Sequence, residues 1–142
     1  MINLKSNKFE IKSIEGIIFD KDGTLTNANI YWAQIIRMRA DLICERYQIN
    51  TNYYSNICKS MGLDNKSNLL LPEGPIALKS RDDVINSLLF YLNELNLEIS
   101  SKELADIFKE VHENFSAKMN NFIKPIESAV NLIKKLSKYE VK

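Results

Sequence analysis

One short apolar run decides which folds are open to this chain. Residues 13–19 are rich in isoleucine and end in phenylalanine, and the run stops at the polar cluster Asp-Lys-Asp-Gly-Thr at residues 20–24. A near-continuous apolar run fits a parallel strand covered on both faces better than an exposed antiparallel strand. We therefore predict a buried parallel strand over residues 13–19, with a turning loop directly after it.

Almost everything after Asn27 has the spacing of amphipathic helices, with apolar residues at three- and four-residue steps. Residues 63–79 are the exception, because they hold two prolines and a glycine and are predicted to form a loop. The apolar stripes are Ala33, Ile36, Ala40, Ile43, Cys44 and Tyr47; Ile57 and Met61; Val84, Ile85, Leu88, Leu89, Leu92 and Leu95; Leu104, Ile107, Phe108, Val111 and Phe115; and Ile126, Ala129, Val130, Ile133 and Leu136.

Capping residues predict where these helices begin and end. Asn52 is the predicted N-cap of the short helix that Gly62 ends. Ser80 is the predicted N-cap of the next helix, and Ser100 has a glutamate three residues later, which is the spacing of a capping box. Pro125 is predicted to be the first residue of the last helix.

The strand and the helices do not add up to a complete α/β domain. A strand buried on both faces requires neighbouring strands, and the sequence offers at most the start of one more, near residues 139–141. We therefore expect an α/β fold whose core is incomplete here, in a chain that is itself mostly α. An unpaired strand leaves its backbone groups open to another chain, so self-association through it is also expected.

The composition removes several classes of partner. Lys and Arg number 19 and Asp and Glu number 18, so the net charge of +1 gives no electrostatic reason to expect nucleic acid or a membrane surface. No apolar run approaches the roughly 20 residues of a membrane span. Residues 1–5 lack the apolar core of a signal peptide, and Cys44 and Cys58 form no CxxC pair. A cytoplasmic protein is the expectation.

The cluster at residues 20–24 carries the chemistry. Asp20 and Asp22 are two residues apart on a turning backbone, and a hard cation such as Mg²⁺ would neutralise them. Gly23 permits a tight turn with backbone N–H groups facing an anion, and the Thr24 hydroxyl can hold a carboxylate in place. A solvated turn is the simpler alternative. An EF-hand loop is disfavoured, because it needs glycine at its sixth position and Gly23 is fourth from Asp20.

Residues 17–26, Ile-Ile-Phe-Asp-Lys-Asp-Gly-Thr-Leu-Thr, resemble the first motif of the haloacid dehalogenase-like (HAD) hydrolases, a hydrophobic strand followed by DxDGT. The resemblance implies that Asp20 is the nucleophile and a Mg²⁺ ligand. It implies that Asp22 is the general acid and base and also a metal ligand, steadied by Thr24. Lys21, through its backbone N–H, Gly23 and Thr24 would contact the substrate phosphate.

The resemblance also implies a domain organisation like that of phosphoglycolate-phosphatase-like members, which carry a helical C1 cap. Residues 124–126 resemble the segment that returns from the cap to the core, although Glu127 and Ser128 stand where glycine is usual. The implied domains are residues 1–28, with the first strand and the motif loop; residues 29–118, the helical C1 cap; and residues 119–142, the return to the core and its first helix.

Three further motifs of the family have no counterpart: a Ser or Thr, a Lys, and an acidic pair. Lys134, Lys135 and Lys138 lie on the last helix and do not match the motif lysine. The expectation is the N-terminal half of a hydrolase that uses Mg²⁺ and an aspartyl phosphate, inactive alone. Its partner would be a small phosphorylated metabolite such as phosphoglycolate, a sugar phosphate or a nucleoside monophosphate. The alternative is a non-catalytic helical interaction module derived from such an enzyme.

Several other residues carry chemistry but have simpler structural interpretations. Solvated charges are favoured over substrate contacts for Arg37, Lys79 and Arg81, and a surface or packing role over catalysis for His112. A buried thiol is favoured over a nucleophile for Cys44. Packing is favoured over substrate contact for the aromatic residues Tyr31, Trp32, Tyr53 and Tyr54.

Overall fold

The computed structural model of the protein describes residues 1–118 and 121–139, and these are mostly helical. The strands are β1 (Ile2–Lys5), β2 (Glu10–Ile14), β3 (Leu63–Asp64) and β4 (Leu69–Leu70). The helices are α1 (Ala28–Arg46), α2 (Tyr54–Met61), α3 (Pro75–Leu78), α4 (Arg81–Glu94), α5 (Ser101–Ser116) and α6 (Glu127–Leu136). Among the described residues, no helix is both long and apolar enough to cross a membrane.

The chain divides into two compact units. The first consists of Met1–Ala28 and Ile123–Lys142, and the second, which we call the helical unit, is Asn29–Phe122. The first unit holds the β1–β2 hairpin, the loop at residues 20–26 and α6. The assignment of the units to a hydrolase core and its cap stays a prediction.

The predicted buried parallel strand over residues 13–19 is wrong. β2 ends at Ile14 and pairs antiparallel with β1, with Ile2 opposite Ile14 and Leu4 opposite Ile11. Ser13 has a φ of 58°, which interrupts the extended run, and residues 15–21 have no regular secondary structure. Ile18 is fully exposed. A two-stranded hairpin has no second layer to bury its apolar side chains, so the run is not sequestered from water.

The hydrophobic core of the helical unit confirms the predicted stripes. α2 packs on α4, and α4 packs on α5. Burying the stripes removes apolar surface from water at about 25 cal/mol per Å², which is what holds these helices together. The predicted residues that are buried are Ala33, Ile36, Ala40, Ile43, Ile57, Met61, Val84, Ile85, Leu88, Leu92, Leu104, Ile107, Phe108, Val111 and Phe115.

Two predicted N-caps are confirmed. The Ser80 hydroxyl accepts from the backbone N–H of Asp83 at 3.2 Å, and the Ser100 hydroxyl accepts from that of Glu103 at 3.2 Å. In both cases the acidic side chain accepts in return from the backbone N–H of the serine, which completes a capping box. Gly62 ends α2 with a φ of 107°, a conformation that favours glycine.

Two other helix starts differ from the prediction. Asn52 does not cap α2: Asn50 caps the 3-10 turn Thr51–Tyr53 before it, accepting from the Asn52 N–H at 2.9 Å, and α2 itself follows Tyr53 without a side-chain cap. Pro125 does not begin the last helix, because it forms a bridge with Thr26, and α6 starts two residues later. Proline fits there because its missing N–H is not needed, and its neighbours supply the hydrogen bonds.

Two further predictions concern irregular segments. Residues 63–79, predicted as a loop, contain the two-residue strands β3 and β4 and the single turn α3. Leu71 donates its N–H to the Gly62 carbonyl at 2.8 Å, and a Cβ on Gly74 would lie 2.8 Å from the Gly62 Cα. This close backbone approach requires glycine. The sequence also predicted the start of a strand near residues 139–141. Tyr139 lies in a bend, and residues 140 and 141 lie outside the described residues.

Candidate active site

The loop at residues 20–26 is closed by its own backbone. The N–H groups of Leu25 and Thr26 both donate to the Lys21 carbonyl, at 2.9 and 3.0 Å, and Gly23 donates to the Thr26 carbonyl at 2.9 Å. Gly23 has a φ of 82°, which a residue with a Cβ adopts only at a cost. The turn therefore has a defined shape that depends on the glycine.

The end of the loop is joined to the segment before α6. Asn27 donates its N–H to the Lys124 carbonyl at 2.8 Å, and Ile126 donates to the Leu25 carbonyl at 2.9 Å. These bonds flank the bridge between Thr26 and Pro125. Residue patterns do not predict this pairing, because it joins residues about a hundred positions apart, although the resemblance places residues 124–126 at the return to the core. Its effect is to fix the loop at its C-terminal end.

The two aspartates have different partners. Asp20 accepts a hydrogen bond from the Thr24 hydroxyl at 3.1 Å, and Asp22 forms an ion pair with the Lys21 ammonium at 2.9 Å. The expectation that Thr24 steadies Asp22 is wrong, because the hydroxyl donates to Asp20 instead. All of residues 20–24 are exposed to solvent. Ion pairs this exposed are worth little, so the Lys21–Asp22 pair can open at small cost.

The donor set at this loop suits a metal bound partly by other ligands. Among residues 1–118 and 121–139, no three Asp, Glu, His or Cys side chains converge to hold an ion. Mg²⁺ in proteins is commonly held by one or two carboxylates, with water and substrate phosphate oxygens completing the sphere. Asp20 and Asp22 fit that minimal requirement and do not form an all-protein cage.

The charged residues of the helical unit that could contact a substrate fall into two groups, those with a structural role and those that line a cavity. The Arg37 guanidinium donates to Asn68 Oδ1 at 2.6 Å and to Asn65 Oδ1 at 3.3 Å, so it holds the β3–β4 turn. Lys79, Arg81 and His112, all exposed, line one cavity within this unit.

The two thiols and Tyr54 fit packing roles, whereas Tyr53 is 42% exposed. Cys44 packs against the core and Cys58 is fully buried. Burial raises the pKa of both thiols, to about 11 for Cys58, which disfavours the reactive thiolate. Tyr54 packs against the same core, and burial raises its pKa above the usual range of a phenol.

Arg39 is a charged residue that the sequence prediction did not include. It lies on α1 between the buried residues Ile36 and Ala40 and is itself only 7% exposed. The signal available was its phase, because Arg39 follows Ile36 by three residues and precedes Ile43 by four. A cation in the middle of an apolar stripe is either paired or poised for a ligand.

Comparison with protein families, with curated proteins and with solved structures finds no match to this chain.

Proposed function

We propose that this chain carries the nucleophile loop and the helical cap of a HAD-like phosphohydrolase, which hydrolyses a small phosphomonoester through an aspartyl phosphate and uses Mg²⁺. The observation that supports the proposal best is the loop itself. It presents Asp20 and Asp22 to solvent on a turn closed by the Lys21 carbonyl and by Gly23. An accessible carboxylate beside a closed turn suits attack on a phosphoryl group, although residues 15–19 before the DxDGT cluster do not form the strand that the resemblance implies.

The proposed reaction uses the two carboxylates in turn. An Asp20 oxygen attacks phosphorus, a new Asp20 O–P bond forms, and the ester P–O bond breaks while Asp22 protonates the leaving oxygen. Asp22 then removes a proton from water, which attacks the same phosphorus and releases phosphate and free Asp20. Thr24 orients the Asp20 carboxylate through its 3.1 Å hydrogen bond. When bound, Mg²⁺ would be held by Asp20 and Asp22 and would offset phosphate charge.

The loop alone does not supply every group that phosphoryl transfer uses. Charge on the equatorial phosphate oxygens is normally stabilised by a lysine or arginine and by a fully ligated metal. The resemblance places those groups on motifs without counterparts among residues 1–142. We therefore propose that the chain alone binds Mg²⁺ weakly and has no turnover.

One observation favours the second candidate, a non-catalytic interaction module. The helical unit encloses its own core, whereas Phe9, Ile11 and Ile18 in the other unit are at least half exposed. Scattered exposed apolar residues are common, but three within ten positions offer a surface for another chain. A module of this kind would not need Asp20 or Asp22 to bind a metal.

Metal binding at the loop separates the two candidates. We expect Mg²⁺ to shift the amide NMR signals of residues 20–26 with a roughly millimolar dissociation constant, as suits two carboxylates and otherwise water. Asp20→Asn should weaken that response strongly. Asp106→Asn, which removes an equally exposed carboxylate on α5, is the matched control and should leave it unchanged. Absence of any shift at tens of millimolar Mg²⁺ would count decisively against the hydrolase.

A further inference from the structure

The helical unit contains a cavity of about 280 Å³ that the proposed hydrolase chemistry does not use. Its apolar wall includes Trp32, Ile35, Val84 and Phe108, of which the last three are buried. The volume corresponds to about nine water-sized groups, taking ~30 Å³ for each. It lies just below the range of about 300–1,000 Å³ for sites that bind drug-sized molecules, so only a compact ligand would fit.

Arg39 lines this cavity. Its guanidinium carbon lies 3.7 Å from the centre of the Phe108 ring, and its buried Nε has no hydrogen-bond partner among residues 1–118 and 121–139. In the described part of the chain, no carboxylate lies within ion-pair distance of it. Burial and, to a smaller extent, neighbouring Arg81 lower the Arg39 pKa to about 9, so the group remains a cation at neutral pH.

An unpaired buried cation is costly and rarely kept without a counter-charge. The cavity offers no such charge of its own, because none of the described residues that line it is an aspartate or glutamate. Lys79 and Arg81 add two more positive charges on its exposed side. Asp83, the acid near Lys79, is bound to Ser80 in the capping box of α4. The cavity therefore combines a positive potential with apolar walls.

We propose that this cavity binds a small organic oxyanion, a carboxylate or a phosphate ester on a compact apolar body, with Arg39 as its principal partner. A planar guanidinium donates two parallel hydrogen bonds to either kind of oxyanion, and stacking on Phe108 keeps its donor edge in one plane. The apolar wall would then take the body of the ligand. The site rests on the helical unit alone and does not depend on the Asp20 loop.

Trp32 provides a built-in reporter, since it is the only tryptophan of the chain and lines the cavity. We expect cyclohexanecarboxylate, which does not absorb where tryptophan does, to change its fluorescence saturably. A ligand of this size should bind with a dissociation constant of roughly 0.1–1 mM. Cyclohexanecarboxamide, the neutral analogue of the same shape, should bind at least about tenfold more weakly, because it lacks the charge. Cyclohexyl phosphate distinguishes a phosphate ligand from a carboxylate ligand.

Variants locate the binding. Arg39→Met should weaken the tighter anion about 10- to 100-fold, the loss expected for a charge-assisted hydrogen-bond pair. Arg37→Met, on the same helix but bonded to Asn65 and Asn68, should leave the affinity unchanged. If circular dichroism shows that Arg39→Met is unfolded, Arg81→Gln replaces it and should weaken binding several-fold.

Four results would overturn or restrict the assignment of this cavity as an anion site. Equal affinity for the carboxamide and the carboxylate would overturn it, as would an unchanged affinity in Arg39→Met or, where that variant is unfolded, in Arg81→Gln. No fluorescence change with either cyclohexyl anion up to ~10 mM would also overturn it, since a dissociation constant above that concentration is too weak for a specific binding site. Binding of inorganic phosphate as tight as that of cyclohexyl phosphate would refute the role of the apolar wall.

Discussion

Replacing Arg39 with methionine should stabilise the helical unit, although Arg39 is only 7% exposed and substitutions of buried residues usually destabilise a fold. A buried charge without a hydrogen-bonding partner costs several kcal/mol, and about 4 kcal/mol is a reasonable central value. Against that, the stacking of the guanidinium on Phe108 at 3.7 Å contributes about 2 kcal/mol in a desolvated setting. Methionine fills similar volume and can itself contact the ring. The net gain is about 2 kcal/mol.

The measurement is thermal and urea unfolding followed by far-ultraviolet circular dichroism in a buffer free of organic anions. A gain of ~2 kcal/mol in a unit of this size raises the melting temperature by roughly 10 °C. Arg37→Met is the matched control with the opposite expected sign, because it breaks hydrogen bonds to Asn65 and Asn68. It should destabilise by about 1 kcal/mol.

A decrease of more than about 1 kcal/mol in the free energy of unfolding of Arg39→Met, the usual value of a hydrogen bond, would contradict this expectation. That result would mean that Arg39 is bonded within the folded chain, and the cost assigned to its charge would be wrong. An organic anion that raises the unfolding free energy of the wild-type protein but not that of Arg39→Met would independently support a costly free charge on Arg39, since a ligand stabilises only the state that binds it.

The remaining predictions concern a helix cap, an exposed apolar residue and catalysis. Ser100→Ala should destabilise α5 by about 1 kcal/mol in urea unfolding. Hydrogen bonds from Ser100 lower the pKa of Glu103. The stability that Glu103 contributes is therefore present above its unfolded pKa and is lost as the pH falls through its lower folded pKa. If the difference in unfolding free energy between wild type and Ser100→Ala does not decrease toward pH 3, this account is wrong. Ile18→Lys should reduce self-association in size-exclusion chromatography with light scattering, because it replaces a fully exposed apolar side chain, and a monomeric wild-type protein would contradict this prediction. The 142-residue chain should not hydrolyse p-nitrophenyl phosphate with Mg²⁺, and turnover abolished by Asp20→Asn would show that it is active alone.

The helices were predictable because their determinants are local. Each buried stripe repeats within a few residues, and the serine caps at Ser80 and Ser100 act over three positions. The structure of residues 13–19 was not predictable from local pattern, because the pairing of a strand depends on residues that are distant in sequence. The apolar run resembled a buried strand, yet Ser13, with a φ of 58°, lies at a register shift within β2, and among the described residues β2 pairs with β1 alone. Pattern alone cannot show whether a second layer covers a strand.

The candidate site divides in the same way. The tight turn at Gly23 follows from the sequence, since glycine tolerates a positive φ. The choice of Asp20 over Asp22 as the partner of Thr24 does not, because both carboxylates are within reach of a flexible hydroxyl and the backbone path decides between them. The pairing of Thr26 with Pro125 is also set by tertiary structure.

Arg37 and Arg39 show why burial is the stronger evidence for a ligand. The two arginines are two positions apart on α1, so their side chains leave nearly opposite faces of the helix, one toward the β3–β4 turn and the other into the core. Asp20 and Asp22 are exposed, so water satisfies them at little cost and a folded chain tolerates them with or without a metal. Arg39 has less recourse to water, because it is only 7% exposed and its buried Nε has no hydrogen-bond partner among the described residues. A charge that costs several kcal/mol while free is stabilised by whatever anion reaches it, which makes the cavity of the helical unit the place where ligand binding should be sought first.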